Sequence, residues 1–434
     1  MAIVTPGTST AAAASESSSS YTAPLAVVTT LFFMWGFLTC LNDILVPHLK
    51  SIFDLNYRQV MLVQFAFFGA YFLFSIPSAK VIDWIGYQRS MVVGLLTMGV
   101  GAFLFVPAAS APSYALFLVA LIVLAAGITC LQVAANPYVT VLGEPATASS
   151  RLNLTQAFNS LGTFLAPFFG GLLILSAAPK AMEEIRALAP EALHAYRLHE
   201  AATVKTPYVG LGIALVVLAI AIGSFKLPKI PHAQHQIGEK VNDSIWRHRN
   251  LIFGAIAIFV YVGAEVSIGS FLVNYFTQPE IGGLTEKVAA SFVAFYWGGA
   301  MVGRFIGSGL LQKMKTGRLL GICAVCAAAL VAISMISTGH FAMWSIILVG
   351  FFNSIMFPSI FTLGIAELGP LTGDGSGVMI MAIVGGALVP LAQGAIADRI
   401  GIHHAFFLPV ICYLYILFFA LSGSKPNSER LSRA

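Results

Sequence analysis

Long apolar runs recur along almost the whole chain and alternate with short polar segments that hold charged residues or clusters of Gly, Pro and Asn. A helix needs about 20 apolar residues to cross the hydrocarbon core of a bilayer. On this criterion the sequence predicts an all-α membrane protein. Its twelve predicted transmembrane helices span residues 24–46, 61–82, 90–108, 113–142, 152–176, 207–225, 250–277, 288–311, 318–337, 341–365, 376–397 and 404–421.

Composition supports a membrane location. Of the 434 residues, 58% are hydrophobic and only 9% are charged, whereas soluble domains carry about 25% charged residues. So few charges cannot cover the surface of a water-soluble protein of this length, and lipid must surround most of the chain. The net charge of +5 is small, and we interpret it as a signal of membrane orientation rather than of nucleic-acid binding.

No motif indicates enzymatic chemistry. The nine His residues are scattered, and the sequence contains neither an HExxH metal-binding motif nor a GxSxG nucleophile motif. We therefore expect no enzymatic activity, no cofactor and no bound metal.

A polar segment near the middle, residues 226–249, divides the predicted helices into two sets of six. The sequence thus predicts an N-terminal six-helix bundle over 24–225, a cytoplasmic linker, and a C-terminal six-helix bundle over 250–421. Residues 1–23 are rich in Ala, Ser and Thr and predict a disordered cytoplasmic tail, and 422–434 predict a second cytoplasmic tail. Lys and Arg concentrate in the loops on one side of the membrane. This pattern predicts a bacterial inner-membrane protein with both termini on the cytoplasmic side.

The two halves share a weak repeat at the end of the fourth span of each. Asn136-Pro137-Tyr-Val-Thr-Val-Leu-Gly143 is echoed by Phe357-Pro358-Ser-Ile-Phe-Thr-Leu-Gly364. Two six-helix bundles related in this way, with a site between them at mid-membrane, are similar to the major facilitator transporters. The long outer segment 177–206 predicts either a short amphipathic helix on the surface or a solvated spacer.

Three charged residues are candidates for a gate. Ala79-Lys-Val-Ile-Asp83-Trp-Ile-Gly86-Tyr-Gln-Arg89 resembles the cytoplasmic signature of that superfamily, in which an ion pair formed by the Asp holds one conformation. We predict gating roles for Asp83 and Arg89, and for Arg304 at the corresponding place in the second half. Gly394–Gly401 fits the same spacing but falls on the outer side of the predicted topology, so we interpret it as a structural turn.

Ionisable side chains inside a span are costly and are functional candidates by default. Asp43 lies in the first span, and a carboxyl shielded from water exchanges protons near neutral pH more readily than an exposed one. This predicts a proton-coupling residue; the alternative is a carboxylate near the outer interface, capped by Asn42. For Glu265 in span seven, substrate binding and a structural pair with Arg304 or a Tyr are equal alternatives.

Side-chain amides cluster on spans four and five. Gln132 and Asn136 are spaced i, i+4 and share one helix face, and three further amides follow with i, i+3 spacing, at Asn153, Gln156 and Asn159. Amides both donate and accept hydrogen bonds, as sugar hydroxyls require, whereas a single amide more often joins helices. Phe68, Tyr71 and Phe357 are further candidates to stack on a sugar ring. The predicted binding residues are Asn42, Gln132, Asn136, Gln156, Asn159, Glu265, Tyr275, Trp297 and Asn353.

Three blocks together resemble the fucose–galactose–glucose:proton symporter family. They are Phe32-Phe33-Met-Trp35-Gly36-Phe-Leu-Thr-Cys-Leu-Asn42-Asp43-Ile-Leu, Leu131-Gln132-Val-Ala-Ala-Asn136-Pro137-Tyr-Val-Thr-Val-Leu-Gly143 and Arg151-Leu-Asn153-Leu-Thr-Gln156-Ala-Phe-Asn159-Ser160-Leu-Gly. The resemblance implies hexose uptake with a proton at Asp43. Gln132 stands where the fucose member has Glu, which is similar to the glucose/galactose branch.

The expected partners are a small sugar, a proton and the lipid bilayer, with a monomer as the expected state and no nucleic acid. Sodium coupling is an alternative because the pocket has one carboxylate fewer than in the fucose member. Fucose and N-acetylglucosamine are alternative substrates, and a membrane sugar sensor that does not transport is the alternative function.

Overall fold

A computed structural model describes residues 21–38, 57–110, 113–173, 188–203, 205–230 and 243–426. The described part of the chain is helical, with short turns and no strand between its helices. Asn42 and Asp43 lie outside the described residues, as do residues 231–242 of the predicted linker and most of both predicted tails. We call residues up to 230 the N-terminal half and residues from 243 the C-terminal half.

The helices of the N-terminal half follow the apolar runs. They are α1 Tyr21–Leu38, α2 Tyr57–Ser110, α3 Tyr114–Val141, α4 Ala148–Leu173, α5 Pro190–Thr203 and α6 Lys205–Ser224. Helix α3 begins at an N-cap, where the Ser113 hydroxyl accepts a hydrogen bond from the backbone N–H of Leu116 at 3.5 Å. The segment 177–206 was predicted to be either a short amphipathic helix or a solvated spacer. Within it, residues 190–203 form helix α5.

The C-terminal half is more broken. Its helices are α7 Arg249–Phe276, α8 Glu286–Lys313, α9 Thr316–Ile336, α10 Gly339–Asn353, α11 Met356–Gly364, α12 Thr372–Met381, α13 Gly385–Ile400, α14 Ile402–Ala405 and α15 Phe407–Phe418. A π-helical turn, Phe419–Gly423, ends the last span. Predicted span ten comprises α10 and α11, and predicted span eleven comprises α12 and α13.

The prediction of twelve membrane-spanning helices is confirmed. Ten helical stretches of the described residues are long and apolar enough to cross a membrane. One of them, Phe65–Ser110, contains two predicted spans, because α2 bends at Gly86. Helix α4 is the twelfth; its run of amides, including Asn153 and Gln156, makes it less apolar than the others.

Two turns share one backbone conformation. Gly86 has φ 83° and ψ 167°, and Gly401 has φ 84° and ψ 154°; L side chains rarely adopt this region, whereas glycine does so without steric cost. Both glycines end an Asp-x-x-Gly sequence. The interpretation of Gly394–Gly401 as a turn was wrong in extent, because α13 stays helical to Ile400 and only Gly401 reverses the chain.

The two halves meet along two sets of helices. Helix α4 packs against α8, and α12 packs against both α2 and α3. Within the N-terminal half α2 packs on α3 and α6, and within the C-terminal half α7 packs on α13 and α15. The amide-bearing helices α3 and α4 therefore both lie at the interface between the halves.

Candidate functional site

The amide cluster consists of Gln132, Asn136 and Gln156: Asn136 and Gln156 meet between α3 and α4, and Gln132 lies one turn from Asn136 on α3. The Gln132 amide nitrogen donates a hydrogen bond of 2.7 Å to the Tyr71 hydroxyl on α2. The Gln156 amide nitrogen donates to Asn136 Oδ1 at 3.4 Å. Gln132 is 1% exposed, Asn136 is not exposed, and Gln156 is 4% exposed. The i, i+4 and i, i+3 spacings thus place these side chains on facing helix surfaces, as the sequence predicts.

This amide cluster holds unused hydrogen-bonding capacity. Gln132 Oε1 and Asn136 Nδ2 are buried and find no hydrogen-bond partner among the described residues. More than nine-tenths of buried polar groups in proteins are paired, so a buried free acceptor one helical turn from a buried free donor requires an explanation. A polyhydroxylated ligand would satisfy both atoms, because each hydroxyl donates one hydrogen bond and accepts others.

The other two amides of α4 join helices. Asn159 Nδ2 donates to the backbone carbonyl of Phe32 on α1 at 2.9 Å, and Asn153 Nδ2 donates to the carbonyl of Arg304 on α8 at 2.7 Å. Of the three amides spaced along α4, only Gln156 joins the cluster with Asn136. Asn159 lies one turn from that cluster, with its donor directed at α1.

A second polar cluster lies inside the C-terminal half. Glu265 Oε1 accepts a hydrogen bond of 2.8 Å from the Tyr261 hydroxyl. Asn353 Nδ2 donates to the Tyr296 hydroxyl at 2.9 Å, and that hydroxyl donates to the Glu265 backbone carbonyl at 3.3 Å. The fully buried Tyr413 side chain lies within hydrogen-bonding reach of Asn353 and completes this cluster. Glu265 and Asn353 are therefore brought together by two tyrosines.

Arg304 connects this cluster to the N-terminal half. Its Nη1 donates to the Ser160 hydroxyl on α4, its Nε donates to the Ser354 carbonyl at 3.2 Å, and its Nη2 lies 4.0 Å from Glu265 Oε1. The Arg304 and Glu265 side chains are 14% and 13% exposed. Ser160 stands 12 residues into α4, which corresponds to about 18 Å along the helix at 1.5 Å per residue. This connection therefore lies deep within the bundle.

The predicted gate at Asp83 contains a lysine that pairs with both halves. Lys80 Nζ lies 2.8 Å from Asp374 Oδ1 and 3.4 Å from Asp83 Oδ2. Asp374 stands in the first turn of α12, where the helix dipole favours a carboxylate. Arg89 is exposed and points to the surface side of α2. Lys80, and not Arg89, thus forms the ion pair between the halves.

Further hydrogen bonds close the same end of the bundle. They join short hydroxyl side chains of one half to groups of the other: Ser149 to Thr362 at 2.6 Å, Thr316 to Ser149 at 3.0 Å, Ser150 to the Ser308 carbonyl at 2.8 Å, and Ser376 to the Val133 carbonyl at 2.8 Å. Together with Lys80–Asp374 at this end and with Arg304–Ser160 deeper in the bundle, they form a set of contacts that we call the inter-half seal.

Two of the five aromatic candidates, Tyr275 and Trp297, are placed elsewhere. The Tyr275 hydroxyl lies 3.0 Å from Ser334 Oγ and 3.2 Å from His403 Nδ1, so it joins α7 to α9 and α14. Trp297 is 41% exposed, and its ring makes an edge contact with Tyr296 at 5.1 Å between centroids. Neither is brought to the amide cluster.

Several side chains of these clusters were not predicted from sequence. They are Ser160, Tyr261, Tyr296 and Tyr413; the buried Gln393, outside these clusters, was not predicted either. Tyr261 stands four residues before Glu265 on one helix face, a spacing visible in the sequence. Gln393 on α13 is fully buried with both amide atoms unpartnered among the described residues; an amide within a predicted span was the available signal. The described residues contain no group of His, Cys, Asp and Glu that would hold a metal.

A twelve-helix bundle with buried polar clusters on both sides of an interface between its halves defines a multi-pass membrane transporter. Residues 26–383 match the sequence profile described as the Major Facilitator Superfamily. The chain is 54% identical over 410 residues to the "Glucose/galactose transporter" of Brucella abortus biovar 1 (strain 9-941), which covers 94% of this chain and 96% of that protein. It is 37% identical to the "L-fucose-proton symporter" of Escherichia coli (strain K12), with 94% of each chain covered.

A solved structure gives the same result. The crystal structure of the major facilitator transporter FucP in the outward conformation superposes with a TM-score of 0.86 at 35% identity, over 94% of this chain and 100% of that one. The chain belongs to the major facilitator superfamily, within the group that contains the glucose/galactose transporters and the L-fucose–proton symporters. The predicted fold and family are confirmed.

Proposed function

We propose that this protein imports a hexose, glucose or galactose, together with a proton across a bacterial inner membrane, with both termini cytoplasmic. The names of its relatives support sugar transport. The observation that carries the proposal to this chain is the buried pair of free atoms, Gln132 Oε1 and Asn136 Nδ2, at the interface of the halves.

Sugar binding follows from the hydrogen-bonding character of this pair. One hexose hydroxyl donates to Gln132 Oε1, and another accepts from Asn136 Nδ2. Both contacts replace hydrogen bonds that the sugar makes with water, so each contributes about 0.5–1.5 kcal/mol, and losing either leaves a buried polar atom unpaired. The Tyr71 and Gln156 side chains hold the two amides in this orientation.

Proton coupling is assigned to Asp43, which lies outside the described residues. Uptake of a proton neutralises the carboxyl, and a neutral side chain is far less costly to enclose in a dry site than a charged one. The sugar-loaded carrier with Asp43 protonated can therefore close around its substrate. Loss of the proton on the other side weakens sugar binding and favours release. Gln132 cannot titrate, so it takes no part in this step.

Reorientation requires the inter-half seal to break. The Lys80–Asp374 ion pair and the Arg304–Ser160 hydrogen bond both join the halves. In the proposed orientation they lie on the cytoplasmic side, so this structure corresponds to a carrier closed to the cytoplasm. The similarity to FucP in the outward conformation supports that assignment. Glu265 keeps Arg304 within reach of Ser160, since it lies 4.0 Å from the guanidinium.

Transport by purified protein in proteoliposomes tests the proposal. Uptake of glucose, galactose, fucose and N-acetylglucosamine is measured under an imposed proton gradient and, separately, under an imposed sodium gradient. We expect accumulation of glucose or galactose with the proton gradient alone. Accumulation driven only by sodium would contradict the coupling, and the absence of both accumulation and counterflow exchange would indicate a sensor.

A further inference from the structure

A cavity lies on the lipid-facing side of the C-terminal half, away from the amide cluster. It has a volume of about 820 Å³ and opens between the start of α9 and the end of the last span. One end of the cavity is lined by three cations, Lys315, Arg318 and Lys425. The rest is mostly apolar, with Ile322, Val325 and Leu421 among its lining residues. It thus has one basic end and one apolar end.

The three cations have no anionic counterpart there. No Asp or Glu lines the cavity, and none of the ion pairs of the described residues involves Lys315, Arg318 or Lys425. Positive charges gathered in one cavity repel each other and attract anions. An anionic group placed between them would relieve this repulsion.

The order of polar and apolar positions along α9 matches the depth profile of a membrane. Arg318, Ile322 and Val325 are spaced i, i+4, i+7 and lie on one helix face, over about 10 Å of helix. Arg318 stands at the end of α9 that follows the loop after α8, whereas Ile322 and Val325 lie deeper and are 45% and 49% exposed. A headgroup beside Arg318 would place an acyl chain along the two aliphatic side chains.

The end of the last span completes the cavity. The π-helical turn Phe419–Gly423 is closed by the Ser424 N–H, which donates to the Phe419 carbonyl at 2.8 Å. Such turns often occur at functional sites. Ser424 and Lys425 follow it directly and line the basic end, while Leu421, 61% exposed, lies at the apolar end.

We propose that this cavity binds an anionic phospholipid of the phosphatidylglycerol type. The phosphate diester lies among Lys315, Arg318 and Lys425, and an acyl chain covers Ile322, Val325 and Leu421. Basic pockets between transmembrane helices bind anionic headgroups in this manner. A soluble anion would use the cations but not the apolar wall. In the proposed orientation the lipid belongs to the cytoplasmic leaflet; the site itself does not depend on which sugar is carried.

Cys326 offers a reporter inside the cavity, since it is a partly buried free thiol that lines the wall. The full-length protein is reconstituted in phosphatidylcholine nanodiscs with or without phosphatidylglycerol, and labelling of Cys326 by N-ethylmaleimide is followed by peptide mass spectrometry. Native mass spectrometry counts retained phosphatidylglycerol. The test variant is K315Q/R318Q/K425Q. The matched control, K226Q/K229Q/K313Q, removes the same charge from exposed residues that do not line the cavity.

We expect phosphatidylglycerol to slow Cys326 labelling and to remain bound to the wild-type and control proteins. The test variant should lose this protection and bind the lipid about 100-fold more weakly, since each cation near a membrane surface contributes about a fivefold gain. Equal retention by the test and control variants would overturn the proposal. So would equal protection by phosphatidylcholine alone, or by inorganic phosphate added to phosphatidylcholine nanodiscs, which would indicate a site for soluble anions.

Discussion

Arg304 on α8 donates a hydrogen bond to the hydroxyl of Ser160 on α4, and this contact joins the two halves of the chain. The same guanidinium lies 4.0 Å from the Glu265 carboxylate of its own half. One cation thus has a partner on each side of the interface. When the halves separate on the side of this contact, Arg304 must lose its hydrogen bond to Ser160. The presence of the hydrogen bond therefore distinguishes the closed conformation from the open one.

Ser160→Ala removes the inter-half partner and leaves Arg304 near Glu265. Hydrogen bonds to charged groups contribute about 1.5–3 kcal/mol, so we expect the closed state to lose population by roughly tenfold or more. Spin labels at the exposed positions Lys226 and Lys313, one in each half, would report a longer distance. The control is Ser345→Ala, because the Ser345 hydroxyl donates within its own helix, to the Phe341 carbonyl. An equal effect of both substitutions on the distance would contradict a role of Ser160 in holding the halves together.

The ion pair between Lys80 and Asp374 predicts energetic coupling. The Lys80 side chain is half exposed, so water screens the interaction and its expected contribution is about 0.2–1 kcal/mol. In a double-mutant cycle on the rate of opening, Lys80→Gln and Asp374→Asn should be non-additive. Arg89→Gln and Asp374→Asn should be additive, because Arg89 is exposed away from this pair. Coupling of Asp374 to Arg89 and none to Lys80 would contradict the assignment of the ion pair to Lys80.

Gln132→Glu adds a titratable group to the amide cluster. A protonated Glu is neutral, as Gln is, whereas a charged carboxylate in a buried site is strongly disfavoured and opposes closure. Transport by the variant should therefore approach the wild-type rate at low pH and fall as the pH rises. Gln132→Asn, which stays neutral, is the control and should keep the wild-type shape of the pH profile. An unchanged pH profile in the Glu variant would argue against a position of residue 132 in the sugar-binding pocket.

Gln393→Met replaces a buried amide whose two polar atoms are unpartnered among the described residues. An unsatisfied buried polar group costs about 1–3 kcal/mol, so without sugar the variant should melt at a higher temperature than the wild type. If the amide contacts sugar, the stabilisation by added glucose should shrink at the same time. A lower melting temperature without sugar would show that Gln393 already has a partner in the unliganded protein.

The transmembrane helices could be predicted because their signal is local. Each apolar run has the length that a bilayer requires, and the bend at Gly86 and the turn at Gly401 fall within recognisable Asp-x-x-Gly sequences. The amide cluster could also be predicted, because the spacing of Gln132 and Asn136 places both side chains on one helix face.

The contacts between helices were harder to predict from the sequence. Nothing local distinguishes Asn159, whose donor binds the Phe32 carbonyl, from Gln156, whose donor binds Asn136. The choice depends on which helix packs beside each face of α4. In the same way, Lys80 and Arg89 both flank Asp83, and only the position of α12 selects Lys80 for the ion pair. Ser160 becomes a partner of Arg304 only because α4 packs against α8.

The central claim is coupled movement of hexose and proton, with Asp43 carrying the proton. Its most direct test compares Asp43→Asn with the wild type in proteoliposomes, by accumulation of labelled glucose or galactose against a gradient and by counterflow exchange. We expect accumulation to be lost while exchange persists, because the permanently neutral side chain still allows the loaded carrier to reorient. Proton-driven accumulation that survives in the variant would contradict the central claim.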